Sequence, residues 1–258
     1  MTQTSEPRGT RIYAHRGANR EAPENSRQAF ARALALGSEG LETDVQLSRD
    51  GVSLLWHDRT LEKLGLPEAR VADIPWQQIA DAAIARGWHG LMTLEAFIAA
   101  YCDPPDSPGV VLEIKNRMGE PQAHQERNLA QALVLADPLH HAGLIVSSFH
   151  APSLDWARAR CPTARLVRNL KADDNIAALR ESISLQPFLA GACLSIGQLD
   201  RASVDLLRGE GKSIAVYTCN SAEEIDHALT LGVDILISDV PAFALARRNG
   251  QAADEARS

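Results

Sequence analysis

Seven side chains with catalytic potential stand where strand-like runs of this chain end. His15 and Arg16 close "IYAHRG", Glu42 and Asp44 sit in "LETDVQL", His57 follows "LLW", and Glu113 and Lys115 lie in "VVLEIKN". Each E-x-D or E-x-K pair puts two charges on one face of a strand, because strand side chains alternate. Three carboxylates brought together would repel one another unless a cation joined them. Oxygen donors without a thiol suit one hard divalent ion, Mg2+ or Ca2+, better than zinc. The two imidazoles suit proton transfer near neutral pH, and Arg16 and Lys115 suit phosphate oxygens. Metal, acid, base and anion clamp form a set able to cleave a phosphodiester.

Those residues meet only if the chain folds in a particular way. Strand-like runs recur at 11–15, 40–47, 110–115, 143–148, 165–170, 192–196, 213–218 and 234–238. Helical patterns lie between them: "SRQAFARALALG", capped at Asn25 or Ser26 and stopped at Gly37, then "AHQERNLAQALVLA", "APSLDWARAR", "DRASVDLLRGEG" and "SAEEIDHALTLG". Eight strands alternating with helices predict an α/β fold, an eight-stranded parallel (β/α)8 TIM barrel, with a doubly wound open sheet as the alternative. In such a barrel the active site lies where strands end and βα loops begin. Asp50-Gly51 signals a hairpin, so an extra strand folds back on the second one. With those two as the turn residues, His57 falls opposite Asp44. Residues 59–92 read as a small irregular insertion within a single domain, and 249–258 as a disordered tail.

Composition narrows the possibilities. The 258 residues are 45% hydrophobic and 23% charged, as in ordinary soluble domains. A net charge of −7 argues against nucleic acid as a partner. Cys102, Cys161, Cys193 and Cys219 show no CxxC or zinc-like spacing, which suggests buried thiols in a reducing compartment. The opening "MTQTSEPRGT" lacks the apolar core of a signal peptide, and no apolar run reaches membrane-spanning length. A cytoplasmic protein without stable membrane association is expected; nothing in the sequence speaks to oligomeric state.

The stretches "AHRGANREAPENS", "LETDVQLSRDGVSLLWHD", "LMTLEAFI", "VVLEIKN", "IVSSF", "VYTCN" and "GVDILISDVPA" resemble, in order, the bacterial soluble glycerophosphodiester phosphodiesterase family, over residues 11 to 242. The resemblance implies a TIM barrel with an insertion after the second histidine. It implies a small glycerophosphodiester as substrate, cut to sn-glycerol 3-phosphate and an alcohol. His15 and His57 would be the acid–base pair, Glu42, Asp44 and Glu113 the ligands of the divalent cation, and Arg16 and Lys115 the phosphate contacts. Tyr217 would face the glycerol, where many relatives carry tryptophan. Glu24, Asn25 and Asn220 would brace the site from behind.

Bland readings stand beside these. Glu24 and Asn25 could be no more than a helix start and its cap, and the carboxylates a buried network paired with Arg16 and Lys115. The remaining histidines, His89, His124, His140, His141, His150 and His227, are read as structural. "GEGKS" at 209–213 lacks the leading glycine of a P-loop and precedes a strand, so it is set aside. Two rival functions remain: a lysophospholipase D-type lipid hydrolase, which would need an apolar docking surface, and an inactive phosphodiester-binding module, which would lack a catalytic residue.

Overall fold

Outside residues 40–101, strands and helices alternate along the chain. The computed structural model describes residues 9–102, 107–117, 119–136 and 143–251. It begins β1 (Arg11–His15), α1 (Arg27–Ala35), β2 (Gly40–Leu47) and β3 (Ser53–Leu55). The insertion contributes β4 (Thr60–Leu61), β5 (Leu66–Arg70) and α2 (Trp76–Ala85), and is followed by α3 (Leu94–Tyr101). The rest runs β6 (Gly109–Ile114), α4 (Gln122–Ala136), β7 (Leu144–Ser148), α5 (Ala151–Arg160), β8 (Arg165–Asn169) and α6 (Ile176–Leu185). It ends with β9 (Gly191–Ser195), α7 (Arg201–Gly209), β10 (Ser213–Tyr217), α8 (Ala222–Leu231), β11 (Ile235–Ser238) and α9 (Pro241–Arg248).

Eight of these strands close into a ring, in the order β1-β11-β10-β9-β8-β7-β6-β2, with β2 returning to β1. All the ring pairings are parallel, and β3 lies outside the ring, antiparallel to β2. The open-sheet alternative is thereby excluded. Every predicted strand is present, within a residue or so of its expected bounds.

The hairpin is where expectation and structure part. Val45 pairs with Leu55, and the Trp56 N–H donates to the Asp44 carbonyl at 3.0 Å, so Trp56 and not His57 stands opposite Asp44. Gly51 has a φ of 85° and its N–H reaches the Ser48 carbonyl at 3.1 Å, while the Ser48 N–H bonds Val52 O. That is a three-residue loop with a left-handed glycine, which moves the register by one relative to a two-residue turn.

Packing divides between the inside and outside of the ring. Outward residues such as Ile12, Ala14 and Leu41 meet the helices in two apolar clusters. Helix α1 shows why one segment docks as it does. The Ser26 hydroxyl, not Asn25, caps it by accepting the Ala29 N–H, and Ala29, Phe30 and Ala33 form its buried face. Phe30 meets Phe97 edge-on at 4.8 Å between centroids, and truncating a buried phenylalanine typically costs about 3–5 kcal/mol. Inside the ring, Tyr13, Val111, Ile145, Val167, Cys193 and Ala215 form an apolar plug. Tyr13 fits because Gly40 and Gly109 carry no side chain: a Cβ at Gly40 would lie 2.4 Å from its ring.

In the insertion, Leu64, Ile74 and Trp76 pack with Trp56, Val71 and Ile79. The tail expectation falls mostly on residues 252–258, and His140 and His141 also lie outside the described residues. All four cysteines are buried thiols.

Candidate active site

Above the apolar plug, at the carboxyl ends of the strands, the inward positions turn polar. Glu42 and Asp44 on β2 and Glu113 on β6 are buried, with ligand atoms within 4.8 Å of one another. The β2–β6 register sets Asp44 beside Glu113. Lys115 bridges them, its Nζ 3.0 Å from Asp44 Oδ1 and 2.7 Å from Glu113 Oε1. Arg16 Nε lies 3.2 Å from Asp44 Oδ2.

This uneven pairing sets the charge states. Burial favours a neutral Asp44, but Lys115 and Arg16 outweigh it and hold its carboxyl far below the usual range. Glu42 is pushed well above its ordinary value, by burial first and then by the Asp44 charge. Burial also raises Glu113. Glu42 is 5% exposed, and among the described residues no lysine or arginine forms an ion pair with it. Its Oε2 accepts the Arg16 N–H at 3.2 Å and lies 3.9 Å from His15 Nε2. Three buried carboxylates with oxygen donors alone, one of them without a cationic side chain, fit a hard divalent ion.

The two histidines flank this cluster and share one design. His15, at the end of β1, has Nδ1 2.6 Å from Asp239 Oδ1. His57, on the segment after β3, has Nδ1 2.7 Å from Asp58 Oδ1. A carboxylate on Nδ1 holds the proton there and leaves Nε2 to exchange protons. Burial lowers the His57 imidazole from its ordinary value, with Asp44 opposing and Lys115 and Arg16 reinforcing. Partial burial would raise Asp239, but hydrogen bonds from His15, Asn19 and Asn220 hold it low.

The remaining predicted residues also have definite places. Glu24 accepts from Arg16 Nη1 at 3.1 Å and from Lys63 Nζ at 2.8 Å. Asn25 is fully buried, donates to Asp44 Oδ2 at 3.0 Å and accepts the Thr43 hydroxyl at 2.7 Å, so it is more than a helix start. Arg16 and Asn25 have φ of 56° and 54°, a backbone conformation uncommon outside glycine, and their backbones are joined by Asn25 N–H to Arg16 O at 3.0 Å. Asn220 donates to Asp239 Oδ2 at 2.8 Å and accepts the Asp239 N–H at 2.9 Å. The Tyr217 hydroxyl donates to Leu170 O at 2.6 Å, and its ring meets Phe149 edge-on at 5.9 Å. His15, Arg16, Glu42, His57, Glu113, Lys115, Phe149 and Tyr217 line one cavity of about 150 Å3.

Of the histidines read as structural, His150 Nδ1 lies 2.9 Å from Ser153 Oγ and His227 Nε2 lies 2.8 Å from Leu199 O. Four further residues take part in the site without having been singled out in the sequence. Asp239 and Asp58 orient the imidazoles. Gln46 donates to the carbonyls of Trp56 and Asp58, each at 2.7 Å, and Arg117 donates to the His57 carbonyl at 2.6 Å and to Gln46 Oε1 at 3.0 Å. Asp239 follows a strand end, the same signal that marks Glu113. Gln46 and Arg117 act on backbone carbonyls, for which the sequence carries no pattern.

Fold and site together make an eight-stranded α/β barrel with a buried carboxylate cluster and two carboxylate-tethered imidazoles. Residues 15–243 match the sequence model of the glycerophosphoryl diester phosphodiesterase family. The chain belongs to that family, a family of phosphoric diester hydrolases. A glycerophosphodiester phosphodiesterase of Bacillus altitudinis is 26% identical over 245 residues, covering 90% of this chain and 95% of that protein. One from Caldanaerobacter subterraneus subsp. tengcongensis is 27% identical over 242 residues, covering 90% and 95%. In fold, the chain resembles a phosphodiesterase of Oleispira antarctica solved in complex with the product sn-glycerol-3-phosphate. The TM-score there is 0.80 at 23% identity, covering 93% of this chain and 96% of that one.

Proposed function

We propose that this chain, as a single catalytic domain, hydrolyses soluble glycerophosphodiesters to sn-glycerol 3-phosphate and an alcohol, with a divalent cation at Glu42, Asp44 and Glu113. The observation that carries this reading is Glu42, a buried carboxylate beside two others and, among the described residues, with no lysine or arginine paired to it. When bound, Mg2+ or Ca2+ supplies charge stabilisation for the phosphoryl oxygens. Arg16 and Lys115, which line the cavity, offset further charge as the transition state develops. His15 and His57 each keep Nδ1 on a carboxylate, so each offers Nε2 for proton transfer. One takes the proton from the nucleophile and the other gives one to the leaving alkoxide, in an in-line displacement. Tyr217 and Phe149 offer an apolar wall to the glycerol carbons. Glu24, Asn25 and Asn220 hold Arg16, Asp44 and Asp239 in place.

The lipid-hydrolase rival needs an apolar docking surface, and the insertion gives it little support. Leu64 is buried and Ile74 and Trp76 pack inward, which leaves Leu66 at 39% and Ile84 at 59% as the exposed large apolar side chains among the described residues of the insertion. None of the described helices is long and apolar enough to cross a membrane. The inactive-module rival is disfavoured because both histidines, all three carboxylates and both cations are present. A cytoplasmic setting with reduced thiols completes the reading.

Glycerophosphocholine and glycerophosphoethanolamine, assayed beside lysophosphatidylcholine with release of glycerol 3-phosphate as readout, test this. The soluble diesters should give the higher kcat/KM. A clear preference for the lysolipid transfers the site to the lipid-hydrolase reading, and no turnover of any diester with metal present overturns it.

A further inference from the structure

The amino end of the barrel holds a second cavity, of about 250 Å3, on the far side of the apolar plug. Arg11 and Arg165 both line it. Arg11 shares the inward face of β1 with Tyr13, and Arg165 that of β8 with Val167, by the alternation of strand side chains. In the ring β1 and β8 are four strands apart, on opposite sides of the barrel. Two guanidinium groups therefore reach into one cavity from opposite walls. Among the described residues neither is paired with a carboxylate. Asp234, the one acidic residue among the described lining residues, is engaged by both terminal nitrogens of Arg208, at 2.8 and 3.1 Å, and by the Ile214 N–H at 2.7 Å. Arg11 is half-buried and lies over the Tyr13 ring, 5.4 Å from its centroid, which fixes its direction.

We propose that this floor cavity binds a tetrahedral oxyanion, inorganic phosphate or the phosphate of a small monoester, held between Arg11 and Arg165. Guanidinium groups recognise phosphate by paired, charge-assisted hydrogen bonds, and the carboxylate among the described lining residues, Asp234, is already paired with Arg208. The site is separate from the catalytic one and does not depend on the proposed reaction.

Calorimetric titration of the full chain, once with inorganic phosphate and once with sn-glycerol 3-phosphate, tests it beside Arg11→Gln/Arg165→Gln. The wild type should show one more binding event per chain than the double variant, weakening as salt is raised. Arg165 is exposed, so Arg165→Gln should fold normally and weaken that event about tenfold, the loss of one charge-assisted contact. Tighter binding of the ester identifies a monoester site, and tighter binding of the free ion a phosphate site. Equal numbers and affinities of binding events in wild type and Arg165→Gln overturn the proposal, whether or not the double variant folds.

Discussion

Glu42→Gln should make the metal-free protein more stable and the metal-loaded protein inactive. The ligand atoms of Glu42, Asp44 and Glu113 lie within 4.8 Å of one another. Two unit charges at that separation repel by about 3.5 kcal/mol at an effective dielectric of about 20. Glu42 faces two such neighbours, while Arg16 and Lys115 lie against Asp44 and Glu113 and return most of that energy. A net repulsion of about 1–2 kcal/mol is left for glutamine to relieve, within the range that single stabilising changes reach. Its side-chain oxygen can still accept the Arg16 N–H. For a chain of this size about 1 kcal/mol moves Tm by about 2–4 °C, so in chelator the variant should melt about 2–8 °C above wild type. Saturating Mg2+ or Ca2+ should reverse the order. At a hundred times Kd the wild type gains about 2.7 kcal/mol, whereas a site short of one charged ligand gains much less. Calorimetric melts in chelator and in excess metal provide the measurement. A variant that melts below wild type in chelator would refute the repulsion argument. Equal metal-induced gains in both proteins would remove Glu42 from the ligand set.

Chelation should abolish turnover and Mg2+ or Ca2+ should restore it; full activity with negligible bound metal would contradict the proposed centre. His15→Ala and His57→Ala should each lower kcat by about 100- to 10,000-fold, and an aryl phosphodiester should partly rescue whichever serves as the acid. A folded variant with near wild-type turnover would strike that histidine from the mechanism. Arg117→Ala frees the His57 carbonyl and loosens Gln46, so kcat should fall roughly tenfold to a hundredfold with KM little changed; a change confined to KM would show that Arg117 does not position His57.

Much of the barrel was legible because its strands are short, apolar and separated by helices with clear caps. The Glu42–Asp44 and Glu113–Lys115 pairs were legible because charge on the inward face of a barrel strand has no packing purpose. The hairpin register was not. Asp-Gly signals a turn without saying whether two or three residues form it, and Gly51 in the left-handed region settled on three. A shift of one residue still leaves His57 beside the carboxylates, and it lines one cavity with Glu42 and Glu113. Gln46 and Arg117 hold the segment 56–58 by its carbonyls, and bonds to backbone leave no partner residue type to search for.

Lys63 lies in the insertion, yet its ammonium bonds Glu24 and pairs with Asp58, each at 2.8 Å. Glu24 belongs to the loop that carries Arg16, and Asp58 tethers His57. One lysine thus works as a tie-rod between the first and second βα loops, and the insertion is not a free appendage. The ring pairings do not use residues 59–92, so shortening or exchanging 59–89 should leave the barrel standing, while Gly90 and Met92 bond α1 and β3 and stay. The exchange would still loosen Arg16 and one imidazole together, unless the graft returned a cation to that spot. At 37% side-chain exposure the tie is open to screening, so added salt should loosen both loops at once.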